Sequence, residues 1–167
     1  MFGIFPQVPL QPQLPIFRGF DDVFYMPHSR HTEIRKADIL RVNEELKVKN
    51  EKLKINGEEA RLDDQGEGPL KIIAESPISG ISMVMARDGR EIFITGHSEY
   101  SPYTLDTEYK RDLGKGLPIQ KPYNYYRDDD PEKGPLVTWR GHGNLLFQNW
   151  LNYYVYQETP YDINAIH

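Results

Sequence analysis

Apolar positions along the chain predict short strands in its middle third. Three apolar segments, at 72–75, 82–86 and 91–95, have the length of strands. The pair Asp88-Gly89 separates the last two segments and favours a tight hairpin, because both residues tolerate positive φ. Residues 92–94 are apolar without alternation, which is typical of a strand that is buried on both faces.

Later segments show the four-residue spacing of apolar side chains that predicts helices. The first helix is expected to have Ser101 as its N-cap and Pro102 at its first position, and to end at Gly114. Its apolar stripe consists of Leu105, Tyr109 and Leu113. The second helix is expected over about 138–156. Strands mixed with helices indicate one α/β domain over residues 1–167, a length that suits a single domain.

Two segments interrupt this pattern. Prolines at every third position in 6–15 predict that the opening stretch, 1–17, is an extended polyproline II segment. We expect its apolar residues to pack on the domain, although such a segment can also bind an aromatic-lined groove of a partner. Half of the residues in 43–68 are charged, and we interpret this stretch as an exposed hairpin or a flexible insertion with a turn at Asn56-Gly57.

The amino-acid composition excludes several classes of functional site. The 167 residues include 20 Lys and Arg against 25 Asp and Glu, a formal net charge of −5, and no cysteine. The missing thiol excludes disulfides, thiolate zinc sites and a cysteine nucleophile within these residues. The acidic balance argues against a nucleic-acid partner, and no apolar run approaches the ~18 residues of a membrane span. The first residues do not have the pattern of a secretory leader, so we expect a cytoplasmic protein without a membrane partner.

The strongest candidate for catalysis is the pair His97 and Glu99, which follows the predicted strand 91–95. Residues i and i+2 of an extended segment project to the same side, so the imidazole and the carboxylate can share one pocket. Such a carboxylate fixes the imidazole tautomer and stabilises the imidazolium, as a general base in acyl transfer requires. The same spacing also fits a surface pair or a structural hydrogen bond. Ser29 could be the nucleophile of a serine hydrolase with this base, although the chain has no Gly-x-Ser-x-Gly elbow.

Two further groups of residues have more than one interpretation. His28, His31 and Glu33 have spacings that could begin a zinc site, but no second cluster completes it, so we expect no metal. Arg111 is either a surface residue in an ion pair or a clamp for a substrate carboxylate, which arginine can bind in a bidentate manner.

Four blocks of the chain, taken together and in order, carry a family resemblance. They are 18–22 (RGFDD), 27–33 (PHSRHTE), 95–100 (TGHSEY) and 144–162 (NLLFQNWLNYYVYQETPYD). The blocks resemble the homoserine O-acyltransferases of methionine biosynthesis, and the similarity covers nearly the whole chain apart from 43–68. The resemblance implies an α/β fold similar to the class I glutamine-amidotransferase domain, an open sheet flanked by helices that is incomplete in this chain.

The resemblance also implies an activity. Such a cytoplasmic enzyme transfers an acetyl or a succinyl group from coenzyme A to the γ-hydroxyl of L-homoserine through an acyl-cysteine intermediate. From the overall look of the motifs we expect acetyl-CoA rather than succinyl-CoA as the donor, and no bound cofactor. The partners implied are these small molecules, and a homodimer would fit the family.

Site residues follow from the matching motifs. By this resemblance His97 is the general base and Glu99 its orienting acid. Ser29 in the block 27–33 and Arg111 in the segment 109–112 (YKRD) match substrate-binding positions of the family. The family's nucleophilic cysteine lies in an N-terminal half, and this chain is expected to begin after it. The isolated chain is therefore predicted to be inactive, because acyl-thioester chemistry needs a thiolate.

A lost N-terminal half would also remove part of a parallel sheet. We therefore expect the strand at 92–95 to have an open neighbour position, which favours aggregation. The alternative to an acyltransferase is a non-catalytic fragment that binds a partner through 6–15 or 43–68.

Overall fold

The computed structural model describes residues 1–54, 68–86 and 89–157. Within these ranges the chain forms five β-strands and three α-helices. In chain order they are β1 (Phe2–Pro9), β2 (Phe24–Ser29), α1 (Lys36–Lys54), β3 (Leu70–Ser76), β4 (Gly80–Ala86), β5 (Glu91–Ile94), α2 (Thr104–Gly114) and α3 (Arg140–Trp150). A π-helical turn, Leu151–Val155, continues α3. No helix in the described ranges combines the length and the apolar content needed to cross a membrane.

The five strands form an antiparallel sheet in the order β2-β1-β3-β4-β5. β1 pairs with β2 over most of its length and with β3 only at Val8 and Pro9, so β1 joins two parts of a curled sheet. The predicted hairpin is confirmed, because β4 pairs with β5. Gly89 has a positive φ of +95°, a backbone conformation that tight turns often require and that glycine adopts easily. Asp88 lies outside the described residues.

Helices cover both faces of the sheet. Met83 and Met85 of β4 share a buried cluster with Leu146 of α3. Val84 lies between these two methionines and packs in a different cluster with Ile39 of α1. The cluster below α3 comprises Ile16, Phe17, Phe24, Met26, Ile73, Ala74, Met83, Met85 and Leu146. This layering confirms the predicted α/β class.

A buried cluster of three aromatic and two aliphatic side chains anchors α2 through Leu105. The cluster comprises Ile4, Leu105, Tyr125, Tyr126 and Trp139. α2 begins at Thr104 rather than at Pro102, and the Ser101 hydroxyl bonds the Thr104 hydroxyl at 3.0 Å instead of capping a backbone N–H. The predicted apolar stripe is correct at Leu105, which is fully buried, whereas Leu113 is exposed. α2 is therefore held mainly through its first turns.

The charged segment is helical where the structure describes it. α1 runs to Lys54, so the hairpin interpretation of 43–68 is wrong for the first part of that segment. Glu and Lys favour helices, and opposite charges one turn apart add support, as between Arg41 and Glu45 at 2.9 Å. Residues 55–67, with the predicted turn, lie outside the described residues. The interpretation of this stretch as an insertion stays a prediction.

The proline-rich start of the chain is a strand inside the sheet. The polyproline II prediction is wrong for Phe2–Pro9, because the fixed φ of proline also fits an extended strand with partners on either side. The predicted packing is confirmed at Ile4, which is fully buried and whose N–H donates to the Tyr123 carbonyl at 2.8 Å. Since β2 and β3 flank β1, this part of 6–15 is not free to bind a partner's groove.

β5 is an edge strand of the sheet that the structure describes. The predicted burial of 92–94 on both faces is wrong, since Phe93 is 50% exposed. The expected parallel sheet is also wrong for the described strands, whose neighbours all run antiparallel. The open neighbour position beside β5 is confirmed among these strands, which places an unpaired strand edge next to the segment that follows it.

Candidate active site

The segment after β5 turns back on itself at His97. The backbone N–H of Tyr100 donates to the His97 carbonyl at 3.3 Å and closes a turn with Ser98 and Glu99 at its centre. The backbone N–H of His97 donates to the Pro27 carbonyl at 2.8 Å. The turn is therefore attached to the end of β2 as well as to β5, and its backbone is held from both sides.

Two glycines let this turn approach its neighbours. A Cβ at Gly96 would lie 2.3 Å from Sδ of Met26 on β2. A Cβ at Gly143, near the start of α3, would lie 2.8 Å from the carbonyl oxygen of Ser98. Both distances are shorter than van der Waals contact, so the absence of a side chain at these positions permits the packing of the turn against β2 and α3.

The predicted contact between His97 and Glu99 is confirmed. Nδ1 of the imidazole lies 2.9 Å from Oε1 of Glu99. An ionised carboxylate can only accept a hydrogen bond, so this contact places the proton on Nδ1 and leaves the lone pair on Nε2. The two side chains border a cavity of about 340 Å³. Its walls are formed by Ile92, Ile94, Gly96, His97, Ser98, Glu99 and Phe147.

Tyr100 joins this pair. Its ring lies parallel to the His97 imidazole, with ring centroids 4.2 Å apart and an angle of 11° between the planes. Nε1 of the buried Trp139 donates to the Tyr100 carbonyl at 3.2 Å. Burial, followed by the charges of Glu108 and Glu99, raises the pKa of the Tyr100 phenol. Its hydroxyl therefore lies within the field of two carboxylates.

Ser29, at the end of β2, is linked to α2. Its hydroxyl donates to Oε2 of Glu108 at 2.8 Å. The serine-hydrolase hypothesis needed this hydroxyl to donate to His97, and the structure directs it to a carboxylate instead. Ser29 and Glu108 form a polar pair close to Tyr100, since Glu108 also acts on the Tyr100 pKa.

His28 is buried behind the site. Nε of Arg30 donates to Nδ1 of His28 at 3.2 Å, and the side-chain amide nitrogen of Gln7 lies 3.2 Å from Nε2 of the same ring. Burial, together with the proximity of Arg30 and His97, lowers the pKa of His28 to about 4. The Arg30 guanidinium also donates to the backbone carbonyl oxygens of Thr32 and Ser79. The Arg30 guanidinium therefore links the end of β2 to the loop between β3 and β4, which contains Ser79.

The candidate zinc ligands do not come together. His28 is buried and bonded to Arg30, whereas His31 is exposed and Glu33 pairs with Arg35 at 3.2 Å. Among the residues that the structure describes, no group of three or more His, Cys, Asp or Glu side chains could hold a metal ion.

Arg111 lies on α2, one turn after Glu108. Its guanidinium makes a bidentate contact with Asp112, with Nε 2.6 Å from Oδ1 and Nη2 2.9 Å from Oδ2. The Asp112 hydrogen bond raises the pKa of Arg111, and Glu108 contributes to the same shift. Arg111 was predicted either to form a surface ion pair or to bind a substrate carboxylate. In the structure it makes a bidentate contact of the predicted kind, but with the carboxylate of Asp112 in its own chain.

Three residues of the site were missed by the sequence interpretation. Tyr100 lies inside the block at 95–100. It follows His97 by three residues, the spacing that brings two residues together across a turn. Glu108 precedes Arg111 by one helical turn, a spacing that places both on one face of α2. Trp139 contacts the site from far along the chain, and no local pattern could have indicated it.

Comparison with known proteins identifies the family. The family model described as homoserine O-succinyltransferase matches residues 1–161. The chain belongs to the homoserine O-succinyltransferase family. The family resemblance read from the four sequence blocks is thereby confirmed.

Individual relatives in this family are named for acetyl transfer. A homoserine O-acetyltransferase of Bacteroides thetaiotaomicron is 60% identical over 166 residues, which are 99% of this chain and 46% of that protein. The homoserine O-acetyltransferase of Phocaeicola vulgatus is 61% identical with the same coverage of 99% and 46%. That of Acetivibrio thermocellus is 49% identical, again over 99% of this chain and 46% of the relative. The chain spans about half the length of the curated relatives it matches.

Proposed function

We propose that this chain supplies the base and the amino-acid-binding residues of a homoserine O-acyltransferase. The observation that carries the proposal is the His97–Glu99 contact at the edge of a cavity, in a chain 60% identical to a protein named homoserine O-acetyltransferase. The complete protein would transfer an acyl group from coenzyme A to the γ-hydroxyl of L-homoserine. A fold similar to class I glutamine amidotransferases, a cytoplasmic location and a homodimer belong to the same proposal.

The proposed chemistry divides into two acyl transfers. A cysteine thiolate outside these 167 residues would first attack the acyl-CoA carbonyl and release the coenzyme A thiolate. Nε2 of His97 would then take the proton from the homoserine γ-hydroxyl as its oxygen attacks the acyl-cysteine carbonyl. The C–S bond breaks, and the product is the O-acyl ester of homoserine. Glu99 would hold the imidazole in the required tautomer and stabilise the imidazolium.

The substrate's two charged groups have candidate partners on one helix. L-Homoserine is a zwitterion, so its binding site needs a cation for the carboxylate and an anion for the ammonium group. Arg111 can bind the carboxylate in the bidentate manner that it now shows towards Asp112, which the substrate would displace. Glu108, which already accepts from Ser29 at 2.8 Å, can accept from the ammonium group.

We propose acetyl-CoA as the donor, with succinyl-CoA as the alternative. The three relatives described above are named homoserine O-acetyltransferase, whereas the family model bears the name of the succinyl reaction. The isolated chain is proposed to be inactive, because it contains no cysteine.

A chimera tests the proposal. This chain replaces the matching 46% of the Bacteroides thetaiotaomicron relative, and the product is assayed with acetyl-CoA and L-homoserine. We expect acetyl transfer, and we expect His97→Gln to lower kcat by about 10²- to 10⁴-fold, the usual contribution of a general base. His31→Gln is the matched control, because His31 is an exposed histidine outside the site.

Two results would contradict the proposal. One is a folded chimera, shown by a cooperative melt, that transfers no acyl group or that keeps full activity with His97→Gln. The other is acetyl transfer by the isolated chain, since it would require a nucleophile other than cysteine.

A further inference from the structure

The two rings at the ends of the active-site turn form a parallel pair. The His97 and Tyr100 centroids are 4.2 Å apart, and the ring planes differ by 11°. The turn that closes between these two residues places one ring over the other, since its hydrogen bond joins their backbones at 3.3 Å. Neither ring is fully exposed, so the contact excludes water from one face of the imidazole.

The Tyr100 end of the turn has its own anchor. Nε1 of Trp139 donates to the Tyr100 carbonyl at 3.2 Å, and Trp139 is only 2% exposed. Trp139 immediately precedes α3, and Gly143 in the next turn of that helix leaves room for Ser98. The Tyr100 backbone is therefore fixed to the core rather than to the surface.

A single hydrogen bond to Glu99 does not define the orientation of the imidazole. The 2.9 Å contact holds Nδ1 close to the carboxylate oxygen, but small changes in the two side-chain torsions of His97 can still tilt the ring. Such a tilt would move Nε2, the nitrogen that takes the proton. A flat group packed against the imidazole face opposes this tilt, because the tilted ring would meet it.

We propose that Tyr100 is a positioning residue whose aromatic ring fixes the plane of the His97 imidazole, while Glu99 fixes the tautomer. This role rests on the proposed function of His97, but the ring geometry can be measured without catalysis. The ring of Tyr100, rather than its hydroxyl, carries the effect. Tyr100→Phe should therefore behave like the unmodified protein, and Tyr100→Leu should not.

Nitrogen-15 NMR of the imidazole tests the role on the chain itself. Long-range ¹H–¹⁵N correlation spectra report the tautomer, and the ring protons of His97 report stacking through their upfield shift. His97→Gln assigns the signals among the five histidines of the chain. The matched control is Tyr103→Leu, the same substitution three residues later at a side chain that is 62% exposed.

The expected result has three parts. The unmodified chain, Tyr100→Phe and Tyr103→Leu show one tautomer protonated at Nδ1 and an upfield shift of the ring protons. Tyr100→Leu loses the upfield shift and keeps the Nδ1 tautomer that Glu99 fixes, but the nuclear Overhauser contacts of the His97 ring protons with residues other than residue 100 change because the ring tilts. In the chimera described above, Tyr100→Leu lowers kcat by about 10- to 100-fold, as expected for a misplaced base, with an unchanged KM for L-homoserine.

Unchanged nuclear Overhauser contacts of the His97 ring protons with residues other than residue 100 in folded Tyr100→Leu would overturn the proposal. Loss of the tautomer or of the shift in folded Tyr100→Phe would also overturn it, because the hydroxyl would then be responsible. This second measurement decides the matter if Tyr100→Leu does not fold. Full activity of His97→Gln would contradict the proposed function instead, whatever the NMR spectra show.

Discussion

The hydroxyl of Ser29 donates a 2.8 Å hydrogen bond to Oε2 of Glu108 and thereby connects the end of β2 to the middle of α2. The two residues are 79 positions apart in the chain. The bond holds a carboxylate one turn before Arg111 and close to the phenol of Tyr100. An anion and a cation are thus presented by the same helix, as the recognition of an amino acid requires.

Glu108→Gln is expected to weaken binding of L-homoserine. The amide keeps an acceptor for Ser29 but loses the charge that would attract the substrate ammonium group. Hydrogen bonds to charged groups contribute about 1.5–3 kcal/mol, so KM of the chimera should rise roughly 10- to 100-fold. Steady-state kinetics measures this, with Glu132→Gln as the control because Glu132 lies in a separate exposed turn. Equal KM values for the two variants would contradict a binding role.

Two neighbouring glycines of α3 should respond oppositely to alanine. A Cβ at Gly143 would lie 2.8 Å from the Ser98 carbonyl oxygen, whereas a Cβ at Gly141 meets nothing within 4 Å. Gly143→Ala should destabilise the chain by about 1–3 kcal/mol through overpacking. Gly141→Ala should stabilise it by about 0.5–1 kcal/mol, because glycine is unfavourable within a helix. Urea unfolding measures the free energy of unfolding of both variants. A stabilising Gly143→Ala would show that α3 does not pack closely against the 97–100 turn.

The buried imidazole of His28 predicts a loss of stability in acid. Its pKa is lowered from 6.5 to about 4 in the folded chain, mainly by burial, and Arg30, His97 and the N-terminal ammonium group act in the same direction. Between these values the unfolded chain binds the proton more strongly, so the contribution to stability is complete above pH 6.5. It is lost as the pH falls towards 4 and amounts to about 3 kcal/mol.

Urea unfolding between pH 7 and pH 4 tests this prediction. The difference in unfolding free energy between His28→Gln and the unmodified chain should change across this range. His31→Gln, which replaces an exposed histidine, should follow the unmodified chain. Parallel pH profiles for all three proteins would show that His28 does not carry this acid sensitivity.

The open edge of β5 predicts self-association of the isolated chain. Unpaired strand edges template pairing with a second strand, and Phe93 presents a half-exposed aromatic ring there. Phe93→Lys should reduce association, because a charge on an edge strand opposes pairing. Val48→Lys makes the same kind of change on the exposed side of α1 and should have no effect. Sedimentation velocity over a range of concentrations measures this, and a monomeric unmodified chain would argue against the prediction.

Features that depend on neighbouring residues could be predicted from the amino-acid sequence. The hairpin of β4 and β5 follows from apolar segments around a turn pair. The His97–Glu99 contact was expected from the i, i+2 spacing, although the segment is a turn rather than the extended stretch that was predicted. Backbone geometry decides such contacts, since residues this close have few alternative arrangements. His97, Glu99 and Ser29 could be selected for the same reason, because each lies within a continuous family block, and Arg111 could be selected from the short continuous segment 109–112.

Tertiary structure alone decided the contacts between distant residues. The prolines of β1 lie inside the sheet because β2 and β3 take up its two edges, although their spacing suggested polyproline II. Ser29 meets Glu108, and Trp139 meets Tyr100, across 79 and 39 residues of chain. Such pairs depend on which apolar faces bury one another and on the resulting order of the strands. Local periodicity contains no information about that order, since the same apolar face can be buried against several partners.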